Sequence, residues 1–208
     1  AEYITQEAAI IGTETHKLIE NHINEVRQAD EVRLLSVAHF NNLIPFLQKI
    51  NDVHGTELRL YSNKMKLAGT SDCIANYEGE LSIIDYKTKR SDQKEEWMKD
   101  HFIQGTAYAQ MFNELTGIEV KQVVILVSSE KNSRMEFVKN TEDYKTKCDL
   151  YSLGIKKVKK FITQHQVDCD WNECGKYFAS SKIEDEKKLT RFNSMLSSLK
   201  IKNQILYK

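Results

Sequence analysis

No stretch of the 208-residue chain comes near the roughly 18 consecutive apolar residues of a membrane helix, and no signal peptide is visible. A helical membrane span is thereby excluded. The four cysteines, Cys73, Cys148, Cys169 and Cys174, lack the close spacings of a disulfide framework. Free thiols and a reducing compartment are expected. Net charge is missing too: 30 Lys and Arg balance 30 Asp and Glu, so the total describes an ordinary soluble domain. Repeats, low-complexity tracts and linkers are absent, which leaves one moderately large domain with ample length for a core. The chain opens on Ala1, already inside a helical pattern, so a leader or a natural N-terminal stretch is expected to be missing.

The zero total hides an uneven distribution. Residues 1–57 carry nine acids against four Lys and Arg. Residues 139–165 carry seven Lys and Arg against three acids, and so do residues 182–208. Such asymmetry fits a polyanion groove beside a metal-binding end, and it fits solvated helix faces equally.

Apolar periodicity orders the elements. A helix over 3–29 has Ile19, Ile23 and Val26 as its stripe, and a second over 36–50 is interrupted or kinked by Pro45. Strands follow at about 54–62, 66–77 and 80–87, then a helix from 93 to 116 that Gly117 closes. "VKQVVILVS" (120–128) reads as a buried strand, "RMEFVK" (134–139) as a more exposed one, and 142–165 as a helix. A further helix is expected over 183–200. The pattern predicts an α/β/α sandwich on a central mixed sheet, with helical additions at both ends. Residues 1–165 make the core, and 166–208 a C-terminal helical extension of the same domain.

One stretch, "GTSDCIANYEGELSIIDYKTK" (69–89), carries the chemistry. Glu78-Gly79 reads as a two-residue hairpin loop, so Tyr77 pairs with Glu80 and Asp72 falls opposite Asp85. Like charges opposite one another on neighbouring strands are destabilising. Lys87 leaves the same sheet face as Asp85. Mg²⁺ or Mn²⁺ between the strands would turn the repulsion into attraction, with Lys87 serving an attacking water and the phosphate charge. The plainer alternative is a lysine bridging two surface aspartates. The apolar run Leu81-Ser82-Ile83-Ile84 argues against it by placing Asp85 at the end of a buried strand.

"GTSDCIA" followed by "LSIIDYKT" resembles the G-x-x-D … (D/E)-x-K core of the PD-(D/E)XK nucleases. The likeness narrows to the RecB-type exonuclease branch, nearest the mitochondrial genome-maintenance exonuclease and related phage and bacterial single-strand exonucleases. "GTETHKLIE" is similar to that branch's histidine motif, with Gly12, His16 and Glu20, and "QGTAYAQMF" to its Q-x-x-x-Y motif, with Gln104 and Tyr108. Four motifs in order, over roughly residues 8–112, are far more specific than a lone D-x-K. The resemblance implies a restriction-endonuclease-like fold. It also implies a Mg²⁺ or Mn²⁺ site on Asp72, Asp85, His16 and the Tyr86 carbonyl, with Lys87, Gln104 and Tyr108 completing the catalytic set. Glu20 reads as a helix-surface carboxylate. Some relatives hold an iron–sulfur cluster, but no cysteine precedes His16 here, so none is expected. "GTETHK" lacks the spacing of a Walker A loop, so no ATP is expected either.

These readings converge on a metal-dependent deoxyribonuclease, an exonuclease on single-stranded DNA or DNA ends in replication, recombination or repair. The alternatives are a flap or junction endonuclease and a catalytically silent nucleic-acid-binding module. Lys156, Lys157, Lys159 and Lys160 are the expected backbone contacts, and Trp97, Phe102, Trp171, Tyr177 and Phe178 are core or base-stacking aromatics. A monomer is expected, in a bacterial or phage-infected cytoplasm, or in the mitochondrial matrix if a leader has been removed.

Overall fold

The computed structural model describes residues 2–28 and 31–166. In chain order these are α1 (Glu2–Ile23), α2 (Leu34–Leu47), β1 (Ile50–Ser62), β2 (Leu67–Tyr77), β3 (Glu80–Lys89), a 3₁₀ turn (Glu95–Met98), α3 (Lys99–Thr116), β4 (Gln122–Ser129), β5 (Arg134–Asn140) and α4 (Glu142–His165). The strands form one sheet in the order β1-β2-β3-β4-β5. Only the β3–β4 pair is parallel, because α3 carries the chain back over the sheet between them. The sheet is therefore mixed.

Both faces of the central strands are buried, which is why they read as apolar runs rather than as alternation. Ile74, Ile83, Val123 and Ile125 point into a core closed by Phe102 and Phe112 of α3 and Cys148 of α4. Their neighbours Cys73, Ile84, Val124 and Leu126 point the other way, against Ile19 of α1 and Leu43 and Leu47 of α2. The result is the α/β/α sandwich.

Several boundaries differ from the periodicity reading. The first helix ends at Ile23, not 29, since the chain turns at Glu25 with φ of 55°. Pro45 sits inside the last turns of α2, which runs on to Leu47 unbroken. The first strand starts at Ile50, with a register shift between Asn51 and Gly55 that disguised its beginning. The helix expected from 93 is a 3₁₀ turn followed by α3. The expected extension over 166–208, apart from Gln166, lies outside the described residues, with its helix, Cys169, Cys174, Trp171, Tyr177 and Phe178.

The hairpin that positions the site forms as its loop dictates. Glu78 and Gly79 have φ of 52° and 90°, the two left-handed positions of a tight hairpin turn, and Tyr77 pairs with Glu80. Gly79 bears the larger positive φ at no steric cost.

Candidate active site

The β2–β3 ladder runs from Tyr77–Glu80 to Cys73–Ile84 and then parts. Beyond that point β3 continues against β4, with Asp85 beside Ile125 and Lys87 beside Val127, while β2 continues against β1. Asp72 and Asp85 occupy the first position past the fork. They do not form the closed cross-strand pair the register alone suggested. Instead, the Tyr86 backbone N–H donates to Asp72 Oδ2 at 3.0 Å. Asp85 lies inside β3 rather than at its end, because β4 goes on pairing as far as Lys89. By strand alternation Asp72, Asp85 and Lys87 share the face of Ile74 and Ile83, the face that α3 covers.

Charge balance at the fork is tight. Lys87 Nζ lies 2.8 Å from Asp85 Oδ1 and 2.7 Å from Oδ2. Only the Oδ1 approach has hydrogen-bond geometry, so Oδ2 is buried without a hydrogen bond. Burial pushes the Asp72 carboxyl above its ordinary range, and the Asp85 charge adds to this. His16, the Tyr86 N–H and Lys87 pull in the opposite direction without cancelling the rise.

His16 reaches the fork from α1, the layer on the other face of the sheet. Its Nε2 is 2.8 Å from the Tyr86 carbonyl oxygen, which can only accept, so Nε2 carries the hydrogen. Nδ1 then faces Asp72 Oδ2 at 3.5 Å. A carbonyl that orients an imidazole in this way selects the nitrogen left for a metal.

A further carboxylate was not anticipated as a site residue. Glu57 of β1 lies between the pairs Thr56–Cys73 and Leu58–Ser71, and so across from Asp72. One ligand atom each from His16, Glu57 and Asp72 fall within 4.8 Å of one another. The signal was present in the chain. Ser62 pairs with Leu67 around the four-residue loop Asn63–Lys66, and counting back from there brings Glu57 to Asp72.

This donor set fits a divalent cation. It offers an imidazole nitrogen, clustered carboxylates and a buried Asp85 oxygen lacking a hydrogen bond, all suited to Mg²⁺-like or Mn²⁺-like ions. Asp85 lies outside the three-residue group and is held by Lys87. Glu20, expected as a helix-surface carboxylate, has a mostly buried side chain that pairs with Lys17 at 3.0 Å.

On α3, Gln104 Nε2 donates to Tyr108 Oη at 2.9 Å. Gln104, expected with Tyr108 to steady the lysine or the scissile phosphate, is bonded here to the tyrosine. Burial raises the Tyr108 phenol, the Gln104 bond opposes that, and the charges of Asp85 and Asp72 raise it further. Those charges act on Tyr108 because it overhangs the fork. Gly69, the glycine of G-x-x-D, makes room for it: a Cβ there would meet Tyr108 Cε1 at 2.6 Å. Gly69→Ala is therefore expected to displace the ring and cost about 1–3 kcal/mol of stability, as overpacked substitutions do. Thermal melting beside turnover checks this, and an unshifted melting temperature would refute the contact. His101, one turn before Gln104, also went unread. It is half-buried, and burial, then Lys87, lower its pKa, while Asp85 and Asp100 oppose the shift.

Lys156, Lys157, Lys159 and Lys160 lie on α4. Lys156 lines a cavity of about 510 Å³ with Thr106, Ala109, Gln110 and Asn113 of α3. At 100° per residue these positions occupy the flank of α3 opposite Gln104 and Tyr108. The cavity that Lys156 lines therefore lies on the side of α3 away from the Gln104–Tyr108 pair.

A mixed sheet that forks over carboxylates, an imidazole and a lysine offers the groups that metal-assisted hydrolysis requires. The family model of the PD-(D/E)XK nuclease superfamily matches residues 11–177, and the chain belongs to that superfamily. It is a nuclease of a family that works with divalent metal ions. Among solved structures it is similar to a protein from Eubacterium rectale described as a "Putative exonuclease". The TM-score is 0.52 at 14% identity, covering 83% of this chain and 77% of that one, a likeness of fold. No curated protein matches. Among the described residues no helix is long and apolar enough to cross a membrane.

Proposed function

We propose that the protein is a single-strand DNA exonuclease of the RecB-type branch, dependent on Mg²⁺ or Mn²⁺ and working as a monomer on DNA ends in replication, recombination or repair. The observation that carries the chemistry is the fork, where a lysine paired with a buried aspartate stands beside the His16, Glu57 and Asp72 group. The preference for single-stranded ends rests on the four-motif likeness described above.

His16, Glu57, Asp72 and Asp85 would hold the metal, with the Tyr86 carbonyl keeping His16 in its working tautomer. When bound, the ion supplies Lewis-acid polarisation of the phosphate and neutralises charge. Lys87, fixed by Asp85, orients the attacking water and offsets charge as the phosphate is attacked. Tyr108, fixed by Gln104, closes the α3 side and donates to a phosphate oxygen. The α4 lysines would touch only outlying phosphates of a strand that extends past α3. Phosphate contacts carry no base information, so sequence preference is weak.

The decisive experiment is a time course with Mg²⁺ or Mn²⁺ on a circular and a linear single strand of equal sequence. The linear strand is expected to disappear and the circle to survive. Loss of both identifies an endonuclease of the same fold, and survival of both identifies a binding module.

A further inference from the structure

From the geometry we infer that Trp97 and Lys94 form a nucleobase-stacking platform on the segment that joins β3 to α3, gripping the single strand on its way to Lys87. The inference rests on the single-strand reading above and specifies where that strand is held. A lone exposed aromatic has no meaning by itself. Trp97 differs in how it is held, in what surrounds it and in where it lies.

Trp97 is 54% exposed, yet the turn that carries it is pinned on every side. Its neighbour Met98 is buried in the core beneath α3. The Trp97 N–H donates to the Lys94 carbonyl at 3.0 Å. Glu95 is paired with Lys139 of β5 at 2.6 Å, and the Gln93 N–H donates to Met135 Sδ at 3.0 Å. The indole is therefore presented to solvent by a rigid turn rather than by a loose loop. Little ordering entropy remains to be lost when a flat ligand settles on it.

A lysine stands over the ring. Lys94 Nζ lies 5.5 Å from the Trp97 ring centroid, within cation–π range. Lys89, Lys94 and Lys99 make no ion pair with any described residue; of the four acids in residues 89–101, Asp92 and Glu95 are occupied, and Glu96 and Asp100 stand exposed. Glu95 is held by Lys139, and Asp92 accepts from Ser129 Oγ at 2.7 Å. An aromatic face with a lysine over it is chemistry that single strands use, with a base on the ring and a phosphate on Lys94. A duplex keeps its base faces stacked inside and offers no such partner. Phe102, five residues on, is fully buried and stacks on Tyr144, so it cannot serve.

Position completes the case. The segment links the end of β3, which carries Lys87, to the start of α3, which carries His101, Gln104 and Tyr108. His101, one turn past Trp97, feels the charges of Lys87, Asp85 and Lys89. A strand resting on Trp97 would thus lie on the segment that leads from Lys87 to His101.

The test is equilibrium binding of the full chain in chelator, by fluorescence anisotropy. It uses an oligo-dT strand and an abasic deoxyribose-phosphate strand of the same length. Trp97→Ala is expected to weaken oligo-dT binding about 5- to 100-fold, the range for losing one stacked base. Trp97→Phe should recover most of that loss. The abasic strand should bind wild type and Trp97→Ala equally. Unchanged oligo-dT affinity in Trp97→Ala, or an equal loss on both strands, overturns the platform even where the wild type digests single strands. A wild type that binds neither strand would instead defeat the single-strand reading itself. Lys94→Gln gives an independent arm, expected to weaken both strands alike and to lower the salt dependence of binding.

Discussion

Lys87→Ala is expected to lower turnover about 10²- to 10⁴-fold, the usual contribution of a positioned proton-transfer or charge-stabilising group. Binding of a single strand should change little, because Lys87 acts mainly on groups that develop charge during attack. Single-turnover rates beside affinities measured in chelator separate the two effects. The structure adds a second consequence. Lys87 is the cation that balances Asp85, whose Oδ2 is buried without a hydrogen bond. Removing one partner of a buried pair leaves an uncompensated charge. The metal-free variant should therefore melt below wild type, and added Mn²⁺ should recover more of the deficit than it adds to wild type. Turnover within a factor of a few of wild type would remove Lys87 from the mechanism.

Asp72→Asn should do the reverse in chelator and raise the melting temperature. Burial and the neighbouring Asp85 hold the Asp72 carboxyl above its ordinary pKa, so its charged form is a burden on the folded state. Asparagine keeps an oxygen for the Tyr86 N–H and removes the charge. A gain of up to about 1 kcal/mol is expected from relieving an opposed like-charge pair. For a chain of this size that is about 2–4 °C. The sign with pH follows from linkage. A carboxyl with a raised folded pKa favours the folded state while it is protonated. It withdraws that support as pH rises through the raised value. The advantage of Asp72→Asn should therefore be absent in acid and full at neutral pH. With Mn²⁺ at about a hundred times its dissociation constant, wild type gains about 2.7 kcal/mol and the order reverses. Equal metal-induced shifts in the two proteins would mean that Asp72 is not a ligand.

Both experiments probe the part of the molecule that was most legible in the chain. Glu78-Gly79 specified a two-residue loop, and the apolar runs on either side could satisfy only a doubly buried hairpin. The register that sets Cys73 against Ile84 follows from that loop alone. Asp72, Asp85 and Lys87 come with it, since alternation sends all three to one face. Gln104 and Tyr108 were likewise readable as a helical i, i+4 pair, and they do bond to each other.

Other features needed the third dimension. That the hairpin opens into a fork depends on β4 capturing β3 past Ile84, a parallel pairing that no local turn signals. His16 arrives from a helix layer on the opposite side of the sheet, over 50 residues away in the chain. Lys156, Lys157, Lys159 and Lys160 fall on more than one face of α4, and the cavity that Lys156 lines lies on the flank of α3 away from Gln104 and Tyr108. Nothing in their spacing could place that cavity. Residue type, alternation and turn chemistry are short-range properties, so the chain by itself determined its strands, its helices, the hairpin and the family core. Which helix covers which face, where two strands separate and which distant side chains meet depend on contacts between elements far apart in sequence. Those were decided only when the sheet was packed between its two helical layers.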